Sequence, residues 1–188
     1  MTNNLSGARR GALVKIAAAV AATAGLASDK ASAAPTPVAA TGKAGDFDFL
    51  NGDWKIAHRR FKDQQWISFE GEATVFGILG GIGSIEELRI PSQNFSGMGL
   101  RMLDVERKLW ADYWVNSKTG VLGAAPTWGS FADGVGRWDA VEVDAGKAFI
   151  VRGEWDLITP QSCRWRQAVS HDEGKTWDEN WRMHWQRA

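Results

Sequence analysis

His58 and Arg60 stand two residues apart in the alternating segment Trp54-Lys55-Ile56-Ala57-His58-Arg59-Arg60. In a strand, residues at that spacing share a face, so both lie on the face of Trp54 and Ile56. An imidazole can hold or move a proton near neutrality, and a guanidinium beside it can fix a carboxylate or an oxyanion. Glu86-Glu87 follows a glycine-rich run, and a regular strand turns one of the two inward. Glu87 shares its face with Ile85 and is the expected inward carboxylate. His58 and Glu87 are therefore the candidate catalytic acid–base pair, with a structural ion pair to His58, Arg60 or Arg101 as the simpler use of Glu87.

Arg101 shares a face with Gly97, Gly99 and Leu103, where the missing side chains leave room around a cation. Gln167 sits between Trp165 and Val169 on an apolar face and so needs a hydrogen-bond partner, either a ligand or another side chain. Trp110, Asp112 and Trp114 share one face of their segment and Ala111, Tyr113 and Val115 the other; either can be the inner one. The candidate ligand-binding residues are His58, Arg60, Arg101, Trp114, Trp155, Gln167 and Trp181. Eleven Trp against one Tyr exceeds what an ordinary core needs. The indoles either pack between sheet faces or line a cavity.

Several chemistries lack their residues. Lys+Arg equals Asp+Glu at 22 each, so no basic field marks a nucleic-acid partner. The single cysteine, Cys163, excludes an intramolecular disulfide and a multi-cysteine metal site, and reads as a small buried apolar residue. Neither a His-Glu-x-x-His motif nor an acidic calcium loop occurs, so no metal is expected. Gly83-Ser84 does not make the Gly-x-Ser-x-Gly elbow of a serine hydrolase.

The elements that must hold these residues read as strands. Period-two alternation begins at Trp54 and recurs to the C-terminus, broken at short intervals by turns such as Pro91–Asn94, Asp133-Gly134, Asp144–Gly146 and His171–Lys175. Trp66–Phe76 is the cleanest, with Ile67, Phe69, Gly71, Ala73 and Val75 facing in and Ser68, Glu70, Glu72 and Thr74 facing out. The run Gly77-Ile78-Leu79-Gly80-Gly81-Ile82-Gly83 marks a bend or bulge. The fold class is all-β: nine or ten antiparallel strands in an up-and-down order, which close most naturally into a single barrel, with a two-sheet sandwich as the competitor.

Ahead of the strands lies an export signal. A polar start ending in Arg9-Arg10, an Ala-rich stretch from Gly11 to Ala27 and the A-x-A site Ala31-Ser32-Ala33 make residues 1–33 a signal peptide. The paired arginines resemble a twin-arginine signal, although Ala8 and Ala12 stand where Ser or Thr and Phe are usual; the Sec route is the alternative. The expected location is periplasmic or extracellular, with no membrane span left after cleavage, since a span needs roughly 20 strongly apolar residues. Residues 34–45, rich in Pro, Ala, Thr and Gly, read as a disordered linker, and residues 46–188 as the barrel domain.

Phe49-Leu50-Asn51-Gly52-Asp53-Trp54 resembles the Gly-x-Trp opening of the calycin superfamily, which includes lipocalins, fatty-acid-binding proteins and nitrobindin-like barrels. In lipocalins the opening Trp packs on an Arg of the last strand, which makes Gly52, Trp54 and Arg187 the structural set implied here. The segment Trp165–Trp177 is similar to the closing hairpin of an uncharacterised bacterial family of lipocalin-like domains. The resemblance covers about residues 46–187 and implies the barrel and an internal cavity, with no activity attached. The resemblance to nitrobindin-like barrels makes His184, near the C-terminus, the candidate haem ligand. It falls on the even-numbered, solvent-facing side with Arg182 and Gln186, so no cofactor is expected.

Three uses of such a barrel follow. It can bind a small apolar or aromatic molecule against indole walls, with Arg60, Arg101 or Gln167 fixing the polar end. It can be a cofactor-free isomerase, lyase or hydrolase-like enzyme working through His58 and Glu87. It can be filled by its own tryptophans and serve a structural or interaction role.

Overall fold

The computed structural model describes residues 37–188. The expected signal peptide and the first part of the expected linker lie outside them. Residues 37–45 lie against the barrel: Thr41 Oγ1 donates to the Phe131 carbonyl at 2.6 Å, Gly42 N–H to Lys108 at 2.8 Å and Gly45 N–H to Gly81 at 2.9 Å. Over these residues the expected linker is a strap making specific contacts.

Ten strands follow: β1 (Gly52–Lys62), β2 (Gln65–Ile78), β3 (Gly83–Ile90), β4 (Phe95–Asp104), β5 (Leu109–Asn116), β6 (Thr127–Ala132), β7 (Val135–Asp144), β8 (Lys147–Asp156), β9 (Ser162–Ser170) and β10 (Asp178–Arg187). Each pairs antiparallel with the next and β10 returns to β1, giving a closed up-and-down barrel. Closure removes the free edges that a ten-stranded open sheet would expose. Three hairpins have two-residue turns, Asp63-Gln64, Asp133-Gly134 and Ala145-Gly146, with positive φ at both positions. That geometry matches the right-handed twist of the flanking strands.

The glycine-rich bend decides which side of β3 is inside. Gly77 pairs with Ser84 and Val75 with Glu86, so the odd-numbered inner face of β2 continues into the even-numbered face of β3. Ser84, Glu86, Leu88 and Ile90 are buried. Glu87 pairs with Thr74 on the outer face. The expectation that Glu87 points inward is therefore corrected to Glu86.

Eight of the eleven indoles point inward, and the sheet makes room for them with glycine. Across neighbouring strands Trp110 and Trp138 both face Gly129, Trp138 also faces Gly153, Trp155 faces Gly136 and Trp114 faces Gly99. Alternating large and small residues around a closed sheet lets bulky rings fill the interior without forcing the strands apart. The other three indoles lie outside, each under an arginine: Arg59 over Trp66 at 5.4 Å, Arg107 over Trp128 at 3.9 Å and Arg152 over Trp177 at 3.8 Å.

One end of the barrel is plugged. A single 3-10 turn, Asp48–Leu50, drops Phe47 and Leu50 into the core, 3% and 0% exposed. Phe47 meets Trp110, Phe131 and Trp138, with ring centroids 4.8–5.5 Å apart. Trp54 Nε1 donates to the Leu50 carbonyl at 2.7 Å, and Trp110 Nε1 to Asp46 at 3.1 Å. Trp54 and Arg187 are in register, and the guanidinium lies 4.1 Å from the indole centroid.

Candidate functional site

The wall at the opposite end is open on two sides. β3 pairs β2 no further than Glu72↔Arg89, which leaves Gln65–Gly71 with β1 alone. β6 pairs β5 over three residues, ending at Asp112↔Thr127. Beyond that pair, β5 runs on to Asn116 and β7 to Asp144 with no strand between them. At the first opening a surface cleft of about 500 Å³ lies between residues 68–72 of β2, from both faces of the strand, and Pro91 and Ser92. The inward residues in this half, Phe69, Trp114, Trp165 and Trp181, are half-buried, whereas Trp110, Trp155 and Trp185 in the plugged half are closed off. The barrel is thus closed off at one end and leaves its inward rings partly exposed at the other.

His58 belongs to β1, where alternation puts it inside with Trp54 and Ile56; it is 1% exposed. Its ring stacks on Phe69 at 4.6 Å, and its Nδ1 accepts from Trp181 Nε1 at 3.2 Å. A nitrogen that accepts from an indole carries no proton, so the neutral ring is protonated at Nε2. That N–H has no acceptor among the described residues. Burial lowers the His58 pKa from 6.5 to about 4, so the ring is neutral at physiological pH. Arg60 follows on the same face, half-buried, with its guanidinium 4.6 Å above the Trp181 ring. Burial lowers its pKa as well.

A charged cluster lies across the barrel. Arg101, 4% exposed, gives Nη2 to the buried Glu86, while its Nε and Nη1 make no hydrogen bond. Asp112 stands beside it, Oδ1 3.7 Å from Nε, which is an electrostatic contact rather than a hydrogen bond. The Asp112 carboxyl has no donor among the described residues, and about a third of its side chain (35%) remains open. Register turns it inward, so the barrel walls surround it even though part of the carboxyl stays exposed. Burial raises its pKa to about 6; Arg101 opposes the rise and Glu86 adds to it. Burial works against the Arg101 charge, but Glu86 and Asp112 outweigh it and the pKa lies above its ordinary value.

The remaining candidates separate into neighbours of this space and parts of the core. Trp181 borders it, T-shaped against Trp165 at 5.6 Å. Trp114 lies over Gly97, where a Cβ would overlap the indole. Gln167 is 8% exposed and is satisfied by a side chain: its Nε2 donates to Asn180 Oδ1 at 3.0 Å. A bulge between Glu179 and Trp181 supplies that asparagine. Trp155 belongs to the core, packed on Phe49 and Trp185. Gly52 adopts φ +113, and a side chain there would stand 2.8 Å from Arg187 Nη1. His184 is exposed on the outer face. Cys163 is buried, and burial pushes its thiol up to about 12.

The sequence-level pair of His58 and Glu87 does not come together. Glu87 is on the outside, bonded to Arg89 at 2.9 Å. Sequence reasoning also missed Glu86 and left Asp112 unassigned. For Glu86 there was a signal: Leu88 and Ile90 share its parity, against Ile85 alone on the other. Among the described residues no three His, Cys, Asp or Glu side chains are grouped closely enough to hold a metal ion, and no helix is long and apolar enough to cross a membrane.

No family model matches the chain, and no curated protein matches it in sequence. Among solved structures it is similar to Rv2717c from M. tuberculosis, at 12% identity and a TM-score of 0.47, over 76% of this chain and 94% of that one. It is also similar to a protein of unknown function from the DUF3598 family of Nostoc punctiforme PCC 73102, at 12% identity and a TM-score of 0.44. That match covers 79% of this chain and 51% of the other, so the chain spans about half its length.

Proposed function

We propose that the protein binds a small apolar or aromatic molecule in the open half of its barrel, against the indoles of Trp114, Trp165 and Trp181. The observation that carries this reading is the contrast between the two ends. The plugged end buries the rings of Trp110, Trp155 and Trp185, while the other leaves Phe69, Trp114, Trp165 and Trp181 half-buried beside the Asp112 carboxylate, which accepts no hydrogen bond among the described residues and is a third open. Apolar concave surface with a few polar groups is the usual make-up of a small-molecule site. Binding of this kind needs no resident cofactor. An acid–base enzyme is the weaker reading, because His58 gives its free nitrogen to Trp181 and Glu87 lies outside.

Membership of the calycin superfamily is part of the proposal and is supported by the Trp54–Arg187 contact at the barrel's closure. Export to the periplasm or beyond the cell is proposed on the paired arginines, the Ala-rich run and Ala31-Ser32-Ala33. The mass of the secreted protein tests cleavage after Ala33. Native mass spectrometry of the exported protein tests binding: a co-purifying small molecule is expected, and it should be lost in Trp114→Ala and Trp181→Ala. A protein that carries nothing and takes up no aromatic probe at millimolar concentration would end this reading.

A further inference from the structure

The open half offers its charges unequally. Arg101 is sealed: Glu86 holds one nitrogen, and the rings of Phe47 and Trp155 lie 5.0 and 5.7 Å from the guanidinium carbon. Arg60 is drawn onto the face of Trp181. His58 is buried with both ring nitrogens out of reach of solvent, one on Trp181 and the other against Gly71. Asp112 differs from all of these. Its carboxyl is turned inward, accepts no hydrogen bond among the described residues and is a third open. It stands at the last β5–β6 pair, where the wall opens.

We infer that the ligand's polar end is a cation, a protonated or quaternary amine, whose charge meets the Asp112 carboxylate while its apolar body lies against Trp114, Trp165 and Trp181. The inference rests on the ligand-binding reading above and names the chemical class. A cation leaving water needs an opposite charge, and indole faces add attraction of about 0.5–2 kcal/mol each. The groups facing this space are Arg60 and His58 from β1, Glu86 from β3, Arg101 from β4 and Glu142 from β7, whose inner position follows from its pairing with Phe149. With His58 neutral, Arg60 and Arg101 stand against the three carboxylates Glu86, Asp112 and Glu142, while at the exposed rim Lys62 and Lys147 offset Asp144 and Asp178, which share the inner register. The balance left for a ligand to neutralise is negative. A carboxylate ligand would meet Asp112 in the open and find Arg101 already closed.

The test compares three ligands of one shape by calorimetry: 2-phenylethylamine, 2-phenylethanol and 3-phenylpropanoate. Near pH 7.5 the amine is expected to bind about tenfold more tightly than the alcohol, and the carboxylate least well. Asp112→Asn should lower the amine's affinity to that of the alcohol, whereas Glu106→Gln, exposed on the β4–β5 turn at the plugged end, should leave the amine preference intact. Near pH 5 the preference should shrink several-fold in the unaltered protein, because Asp112 takes up a proton around pH 6. That measurement does not depend on a variant folding. Equal affinities for amine and alcohol, a preference for the carboxylate, or a preference that survives Asp112→Asn overturns the inference and leaves the binding site standing. If none of the three binds, the ligand-binding reading fails and takes the inference with it.

Discussion

Trp54 and Arg187 face each other across the seam where the first and last strands meet, with the guanidinium 4.1 Å from the indole centroid. The same guanidinium binds the Asn51 and Phe49 carbonyls of the plug and, at 3.2 Å, the Pro160 carbonyl of the β8–β9 connection. One side chain therefore ties together the plug, the first strand, the last strand and a loop. Arg187→Ala removes a cation–π contact and three charge-assisted hydrogen bonds, and should cost about 2–4 kcal/mol. Arg187→Lys should recover only part, since an ammonium lacks the planar fork. Urea unfolding of the two variants measures both; an equal loss in Lys and Ala would mean the charge itself contributes nothing.

Gly71 is glycine because of His58. A Cβ there would stand 2.5 Å from His58 Nε2 and 3.1 Å from the Arg89 carbonyl oxygen. Gly71→Ala should drive the imidazole out of its place, distort the indole–imidazole hydrogen bond on the ring's other side and cost about 1–3 kcal/mol. In a His58→Ala background the same substitution should cost clearly less, because the ring it strikes is gone. A double-mutant cycle reads this coupling directly. If the two costs simply add, the glycine answers to the Arg89 backbone alone.

Much of the fold was legible because its signals are local. Alternation in Trp66–Phe76 and the Asp133-Gly134 turn fixed strands and hairpins, and the Gly52-x-Trp54 opening pointed to Arg187. Parity is harder to read, because it must be carried through each turn. The run 77–83 transfers the inner face from odd to even numbers, and the single residue Ile85 suggested the wrong side of β3. Asp112 was undecidable for a related reason: Trp110 and Trp114 flank it on one face, but Tyr113 and Val115 lie on the other. Only pairing with Arg101 in β4 shows which is inner. Phe47, Phe49 and Leu50 read as an apolar plug from the sequence, but the rings the plug meets did not, since they come together from across the chain, as Phe47 and Trp138 do.

The glycine–tryptophan alternation should make interior glycines unusually intolerant. At Gly129 a Cβ would run into both the Trp138 indole and the Arg137 backbone carbonyl, and a backbone atom cannot rotate away. Gly129→Ala should therefore cost about 3 kcal/mol or more and loosen Trp138. The loss should be visible as reduced near-ultraviolet circular dichroism. Gly134→Ala, at a turn with open space around it, should show only the smaller penalty of its positive φ, 77°. Equal losses at the two sites would refute steric crowding as the reason for the interior glycines.

His58 and Asp112 should pull stability in opposite directions as the solution is acidified. For His58 the folded pKa is about 4 against 6.5 unfolded, so the unfolded chain binds its proton first as pH falls. Stability from this residue is complete above about pH 6.5 and is lost on the way down to about 4, by on the order of 3 kcal/mol. For Asp112 the folded pKa is about 6 against 3.8, so the folded protein binds its proton first. Its contribution has the reverse sign: stability is gained as pH falls from about 6 to 3.8, and lost as pH rises through that window. The carboxyl is a third open, so solvent screening makes this gain the smaller of the two. Acid should therefore destabilise the protein overall. It should do so more steeply in Asp112→Asn, which lacks the offsetting gain, and less steeply in His58→Gln, which keeps an acceptor for Trp181. Urea midpoints at several pH values between neutrality and about pH 4 give the three slopes. If they coincide, the two groups titrate as they do in the unfolded chain and neither is held by the barrel as described.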